Sequence, residues 1–379
     1  MSAKSRWLFS APIDLAVFGG TAVIALVLVA LGPQLGAGHE SPEWSWIAGV
    51  LLVDVAHVWS TSFIVYLDPA EWRRRPALYA GVPIACFIGG VALYACGEGP
   101  FWRVIAYLAV FHFIRQQYGW VMMYRARNGE RDRFGRWLDG ATVYMATIYP
   151  LIWWHTRLPR SFSWMRDGDF VAGLPRRAEE IARILYAGLL AAYGVRAIAQ
   201  LAMRQPVSWG KHLVVATTAA CWYVGIVGTN TDYAFTVTNV FTHGIPYMAL
   251  VYLYARSAAR ERESAGGASA RLVGPRSPAS AGSLHLGPRS PASAGSLHLG
   301  HVRGILVFLA TLWFIAYVEE MIWDRAIWHD RSWLFGSGID VGGGALILAP
   351  LLAVPQLTHY VLDAFLWRRK ANPRLGRLL

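Results

Sequence analysis

Four histidines stand inside long apolar stretches of this chain, and each has a polar companion about one helical turn away. Asp54 precedes His57, Gln116 follows His112, Asn239 precedes His243 and Asp363 follows His359. At i, i+3 or i, i+4 spacing each pair shares one helix face. Ionisable groups are expensive at hydrocarbon depth, so they usually mark a site. Neutral imidazole is a natural ligand for iron, copper or zinc, and a neighbouring carboxylate or amide fixes its tautomer. Asp54 and Asp363 suit that supporting part, while Gln116 and Asn239 suit orienting a ring or a bound oxygen ligand. One intramembrane histidine can satisfy itself on a neighbouring carbonyl or hydroxyl. Four at similar depth, each so accompanied, point to a shared cluster.

The familiar catalytic signatures are missing. The sequence has no HxxxH or HxxHH box, no HExxH helix and no Walker A loop. A serine hydrolase would need a GxSxG elbow, which is also lacking. A metal site here must therefore draw one histidine from each of four segments. His39, His155, His212, His301 and His329 fall near segment ends or in loops and are expected to meet water. Glu319 and Glu320 are expected at a membrane interface.

The elements that position these residues follow from composition. The 379 residues are 55% hydrophobic and only 15% charged, too apolar for an ordinary soluble domain. Apolar runs of roughly 20 residues predict an all-α, polytopic membrane bundle. Ten spans are expected, at about 12–32, 45–67, 77–96, 101–124, 139–155, 180–202, 211–228, 235–255, 303–323 and 344–367. The fifth is short and contains Pro150. The 18 Trp and 17 Tyr suit interfacial belts.

The net charge of +12 is mostly arginine between spans, the pattern of cytoplasmic loops, and no nucleic-acid function is read into it. Lys4, Arg6, Arg73 to Arg75, Arg125 to Arg136, Arg204, Lys211, Arg256 to Arg262 and Arg368 to Arg377 all fall on one side. This predicts an integral protein of a bacterial inner membrane with both termini cytoplasmic. The exception is Arg157 to Arg177, with five arginines on the outer side, expected as a short amphipathic surface element. Cys86, Cys96 and Cys221 lack metal-type spacing and are expected as buried free thiols.

Residues 1–256 form one predicted membrane unit with eight spans, and 303–379 a second with two spans and a basic tail. Between them, 257–302 is rich in Ser, Ala, Gly and Pro and carries a tandem 13-mer, Gly274 to Leu286 and Gly287 to Leu299. Such a segment cannot bury a core and is expected as a disordered cytoplasmic linker. His285 and His298 come with the duplication.

His243-Gly244-Ile245-Pro246, the Ala109-Val110-Phe111-His112-Phe113 stretch, His57 beside an aspartate, and His359 in the last span together resemble the Brp/Blh family. That resemblance implies a multi-span, iron-dependent β-carotene 15,15′-dioxygenase that cleaves carotene to retinal. It implies His57, His112, His243 and His359 as the ligands of Fe2+. The leading expectation is thus an intramembrane non-haem iron oxygenase using O2 on a lipophilic, carotenoid-like substrate. Trp59, Tyr118, Trp120, Tyr247 and Tyr360 are candidates to line its path from the membrane lipids. A proton-coupled transporter or channel using Asp54, His57, Arg115, Glu319, His359 and Asp363 is one alternative. A haem protein with paired axial histidines is another.

Overall fold

The structure is a computed structural model and describes residues 7–37, 41–272, 292–367, 372, 374 and 375, without side chains for 262–302. Lys4, Arg6, His39, His285, Arg368 to Lys370 and the centre of the tandem repeat lie outside the described residues, as do the side chains of His298 and His301. Among the described residues there are helices and loops and no strand.

Each of the ten apolar segments falls on one long helix. These are α1 (Ala11–Ala30), α2 (Glu43–Phe63), α3 (Pro76–Ala95), α4 (Glu98–Asn128) and α5 (Arg133–His155). They continue as α6 (Arg176–Ala202), α7 (Trp209–Trp222), α8 (Asp232–Leu272), α9 (Ala292–Trp323) and α10 (Ala345–Leu366). α8 and α9 thus enter the expected linker from both sides. Pro150 is accommodated inside a continuous α5.

Six helices are long and apolar enough to cross a membrane: α1, α2, α3, α6, the Arg303–Trp328 stretch that includes most of α9, and α10. The other four are less apolar for a reason visible in their surroundings. α8 runs through the middle of the bundle, packed on α1, α2 and α7, and nearly every residue from Tyr233 to Val251 is buried. A helix surrounded by protein can carry Thr, Asn and His, which find partners on its neighbours. α6 is the opposite case, with Ile181, Ile184, Leu185, Val195 and Ile198 exposed along its length as a lipid-facing surface requires.

Small residues set how closely α8 is approached. A Cβ added at Gly49 of α2 would lie 3.0 Å from Thr236 Cγ2. One added at Gly225, in the π-helical turn after α7, would lie 2.0 Å from Thr238 Oγ1. The tight turn joining α3 to α4 uses Gly97 at φ 120°, where a side chain would be strained.

The ends of α4, α5, α6 and α7 opposite the Gly97 turn are joined by buried ion pairs. Asp139 accepts from Arg125 at 2.5 Å, from Lys211 at 2.9 Å and from Arg196 at 3.3 Å. Asp132 caps α5 through Gly135 N at 2.7 Å and accepts from Arg125 and Arg196. Burial opposes ionisation of Asp132, but the Arg125 hydrogen bond, the Gly135 amide and the two guanidinium charges outweigh it and hold its pKa below 3.8.

The segment between α5 and α6 differs from expectation. It is an irregular loop and not an amphipathic helix, because its aromatics turn inward. Phe162 and Phe170 are buried against Trp154, and Asp169 Oδ2 accepts from the backbone amides of Trp164, Met165 and Arg166. The thiols also divide, with Cys221 buried, Cys86 half-buried and Cys96 exposed.

Removing Asp139 takes the fully buried carboxylate away from Arg125 and Lys211, which then share only the partly exposed Glu130. Asp139→Ala should lower the unfolding free energy by about 3–5 kcal/mol. Thermal unfolding in detergent checks this, and an unchanged midpoint would show that the network contributes little.

Candidate metal centre

The four histidines converge. One ring nitrogen from each of His57, His112, His243 and His359 lies within 4.8 Å of all the others, and the side chains are 1%, 5%, 0% and 1% exposed. They come from α2, α4, α8 and α10. His57 Nε2 is 3.1 Å from His243 Nε2, and His112 Nε2 is 3.1 Å from His359 Nε2. The rings close a cycle, with centroid separations of 4.7 Å (His57–His243), 5.1 Å (His243–His112), 4.6 Å (His112–His359) and 5.0 Å (His359–His57).

Local structure puts each ring there. The backbone from Ile47 to Val55 is π-helical and ends two residues before His57. Such wide turns recur at functional sites because they displace one residue from the regular helical face. In α8 His243 is followed by Gly244, where an added Cβ would meet Val53 Cγ1 at 2.7 Å and Val53 O at 3.2 Å. The missing side chain lets α8 close on α2, and that closeness brings His243 to His57. Pro246 and Pro355 each remove a backbone donor near a histidine. The His243 carbonyl also accepts from Gln116 Nε2 at 3.1 Å.

Aromatic faces hold the rings in place. Phe113 lies flat on His243 with centroids 3.5 Å apart and planes 7° apart, and Trp164 of the loop between α5 and α6 meets Phe113 edge-on at 5.0 Å. Tyr360 stacks on His112 at 4.7 Å, and Tyr247 meets His57 and His359 edge-on.

The polar support is concentrated on His359. Its Nδ1 is 2.8 Å from Thr61 Oγ1, which is 2.9 Å from the Tyr247 hydroxyl. That hydroxyl donates to Asp363 Oδ1 at 2.6 Å, and Trp367 Nε1 donates to the same oxygen at 3.2 Å. Asp363 also lies 3.8 Å from His112 Nε2 and 3.9 Å from His359 Nδ1. Asp54 Oδ1 is 3.5 Å from His57 Nδ1, just beyond a good hydrogen bond.

The proposed amides are placed differently from the carboxylates. Gln116 holds backbone and not a ring. Asn239 donates to Phe235 O and Thr238 Oγ1 within its own helix, leaving its Oδ1 buried without a hydrogen bond. Spacing could not reveal Phe113, whose role depends on which neighbouring helix its face meets. Thr61 was visible as the next polar residue on the His57 face.

Beside the cluster lies a largely apolar cavity of about 820 Å³ between α3, α4 and α10, with His112, Tyr360 and Asp363 in its wall. Tyr118, Trp120 and Tyr247 line it as well. Trp59 does not. Its indole donates to Glu319 of α9, because α9 and not the cavity packs on that face of α2. Glu319 is accordingly half-buried and hydrogen-bonded, where an interfacial position in water was expected. His155 and His212 are likewise partnered, with Tyr107 and Tyr193, and are not left to water.

The arrangement suits a metal ion. Two nitrogens each bound at about 2.1 Å sit about 3.0 Å apart at a right angle and about 3.4 Å apart at the tetrahedral angle, close to the two 3.1 Å separations here. The donors are borderline-soft imidazoles, suited to iron, copper or zinc. Fold and site together define an all-helical protein with a buried four-imidazole cluster able to accept a metal. In comparisons with known proteins, no family model, curated protein or solved structure matches the chain.

Two substitutions probe this geometry. Gly244→Ala should push α8 from α2 and weaken metal retention, and adding Val53→Ala, which removes the clashing methyl, should restore part of it. Metal content after purification is the measurement, and full retention in Gly244→Ala would contradict the close-approach argument. Thr61→Val removes the hydroxyl beside His359 Nδ1 and should weaken metal affinity about 10–100-fold in a chelator competition.

Proposed function

We propose that this protein is an intramembrane, iron-dependent oxygenase that uses O2 on a lipophilic, carotenoid-like substrate. The observation that carries the reading is the convergence of four buried imidazoles, one of which, His112, lines an apolar cavity. His57, His112, His243 and His359 would hold Fe2+, and the bound iron would supply O2 activation at an open coordination position. The reading agrees with what the Brp/Blh resemblance implies for the same four residues.

The chain's own residues have separate tasks. Phe113 and Tyr360 keep the His243 and His112 rings from turning. Thr61 and Asp363, tied together by Tyr247, hold the His359 ring in one orientation. The cavity takes up an apolar chain from the surrounding lipid and excludes bulk water, and His112 faces that chain. In this reading all ten long helices span a bacterial inner membrane, with both termini in the cytoplasm. The four less apolar helices cross as inner members of the bundle. A haem is disfavoured, because nitrogens 3.1 Å apart leave no gap for a porphyrin plane.

A transporter is the second reading, favoured by one observation. Asp54 and Glu320 are both half-buried, and Glu320 adjoins the Trp59-bound Glu319. Intramembrane carboxylates often relay protons.

Metal analysis and product analysis separate the readings. The oxygenase reading expects about one non-haem iron per chain, lost in His57→Ala and His359→Ala, since removing one of four ligands opens the site. Expression in a carotene-producing host followed by extraction should yield retinal only with the intact cluster. Protein that binds no metal and is indifferent to chelators would overturn the iron assignment. Iron without retinal would overturn the carotene assignment alone.

A further inference from the structure

Arg115 is the unusual residue of the cavity. It lies one turn from His112 on the same face of α4 and lines the cavity wall. It is near the middle of the helix, about 20 Å or more from either end at 1.5 Å per residue. Its side chain is exposed, and at the middle of a helix proposed to cross a membrane a guanidinium is costly without a partner. Its partners are uncharged: it donates to the Tyr144 hydroxyl and sits 4.9 Å over the Tyr118 ring. No carboxylate of the described residues forms an ion pair with it.

The arginines elsewhere show the contrast. Arg125 meets Glu130, Asp132 and Asp139, Arg157 meets Glu179, and Arg196 meets Asp132 and Asp139. Among the described arginines, Arg115 alone combines a mid-helix position, a cavity wall and uncharged partners. The two tyrosines that hold it are stacked on each other at 5.1 Å, so the group is positioned and not loose. A guanidinium has five N–H donors in a planar fork, and one donation to Tyr144 leaves the edge needed for bidentate contact with a carboxylate.

We propose that Arg115 is an anion subsite, and that the ligand of this cavity is a long-chain carboxylate whose head pairs with Arg115. The cavity extends along α4 from Phe101 to Ala126, so the apolar chain lies beside the helix and passes His112. This rests on the oxygenase reading and narrows its carotenoid-like substrate to one that ends in a carboxylate, so that carotene itself, a hydrocarbon, would lack the Arg115 contact. The subsite itself requires only the cavity and the guanidinium.

The test uses purified full-length protein in neutral detergent with two fluorescent probes, cis-parinaric acid and its methyl ester. Wild-type protein should bind the acid about tenfold or more tightly than the ester, as a charge-assisted bidentate pair implies. Arg115→Gln should abolish that preference while ester binding stays unchanged, and Arg115→Lys should keep part of it. Equal binding of acid and ester by the wild type would overturn the proposal, as would an acid preference that survives Arg115→Gln. Iron content is measured on the same samples. An acid preference that depends on Arg115 in protein without iron would overturn the iron reading and leave the subsite standing. Should Arg115→Gln fail to fold, the wild-type acid-to-ester ratio and the Arg115→Lys variant still decide.

Discussion

The site depends on one close contact, that of Gly244 in α8 with Val53 in α2. There is no room for a Cβ at that point, with Val53 Cγ1 at 2.7 Å and the Val53 carbonyl at 3.2 Å. The contact sits one residue from His243 and four from His57, so the distance between the two backbones sets the distance between the two rings. In a bundle where lipid is as apolar as the side chains, close packing of this kind is what drives helices together. Gly49 and Gly225 extend the same tight surface along α8.

Around that contact the bundle is sorted by polarity. α8 is almost wholly buried, and α4 carries the buried His112 and Gln117, while α6 turns apolar residues outward. A polar residue in hydrocarbon needs a partner, and only helices enclosed by others can offer one. The same rule operates at the end of the bundle, where Asp139 collects three cations, and at the cluster, where Asp363, Thr61 and Tyr247 form one connected set. Rigidity is supplied at both places by groups that have a single good arrangement.

The cavity brings polar groups to an otherwise apolar surface. Its wall combines His112, Tyr360, Asp363 and Arg115 with apolar residues of α3 and α10. The wall is mostly apolar, yet it presents polar groups midway along its length. The aromatic rings beside it are not interchangeable fillers. Tyr360 and Phe113 each cover one histidine face, while Tyr118 and Tyr144 hold a cation.

Much of this was legible in the chain. Apolar runs of about 20 residues located ten long helices, of which six are long and apolar enough to cross a membrane. The four histidines stood out within those runs, as costly groups at the wrong depth. Spacing along one helix also paired Asp363 with His359 and Asp54 with His57. What it could not supply was which face of each helix meets which neighbour. Trp59 was therefore expected at the cavity but donates to Glu319, and Asn239, expected to orient a ring or a bound oxygen ligand, donates within its own helix and leaves its Oδ1 unbonded. Phe113 went unnoticed although it stacks on His243. Periodicity reports that a face is buried; the identity of what buries it is decided by close approaches between distant segments, such as Gly244 on Val53. The tertiary structure alone made one cluster of four histidines up to 302 residues apart in sequence.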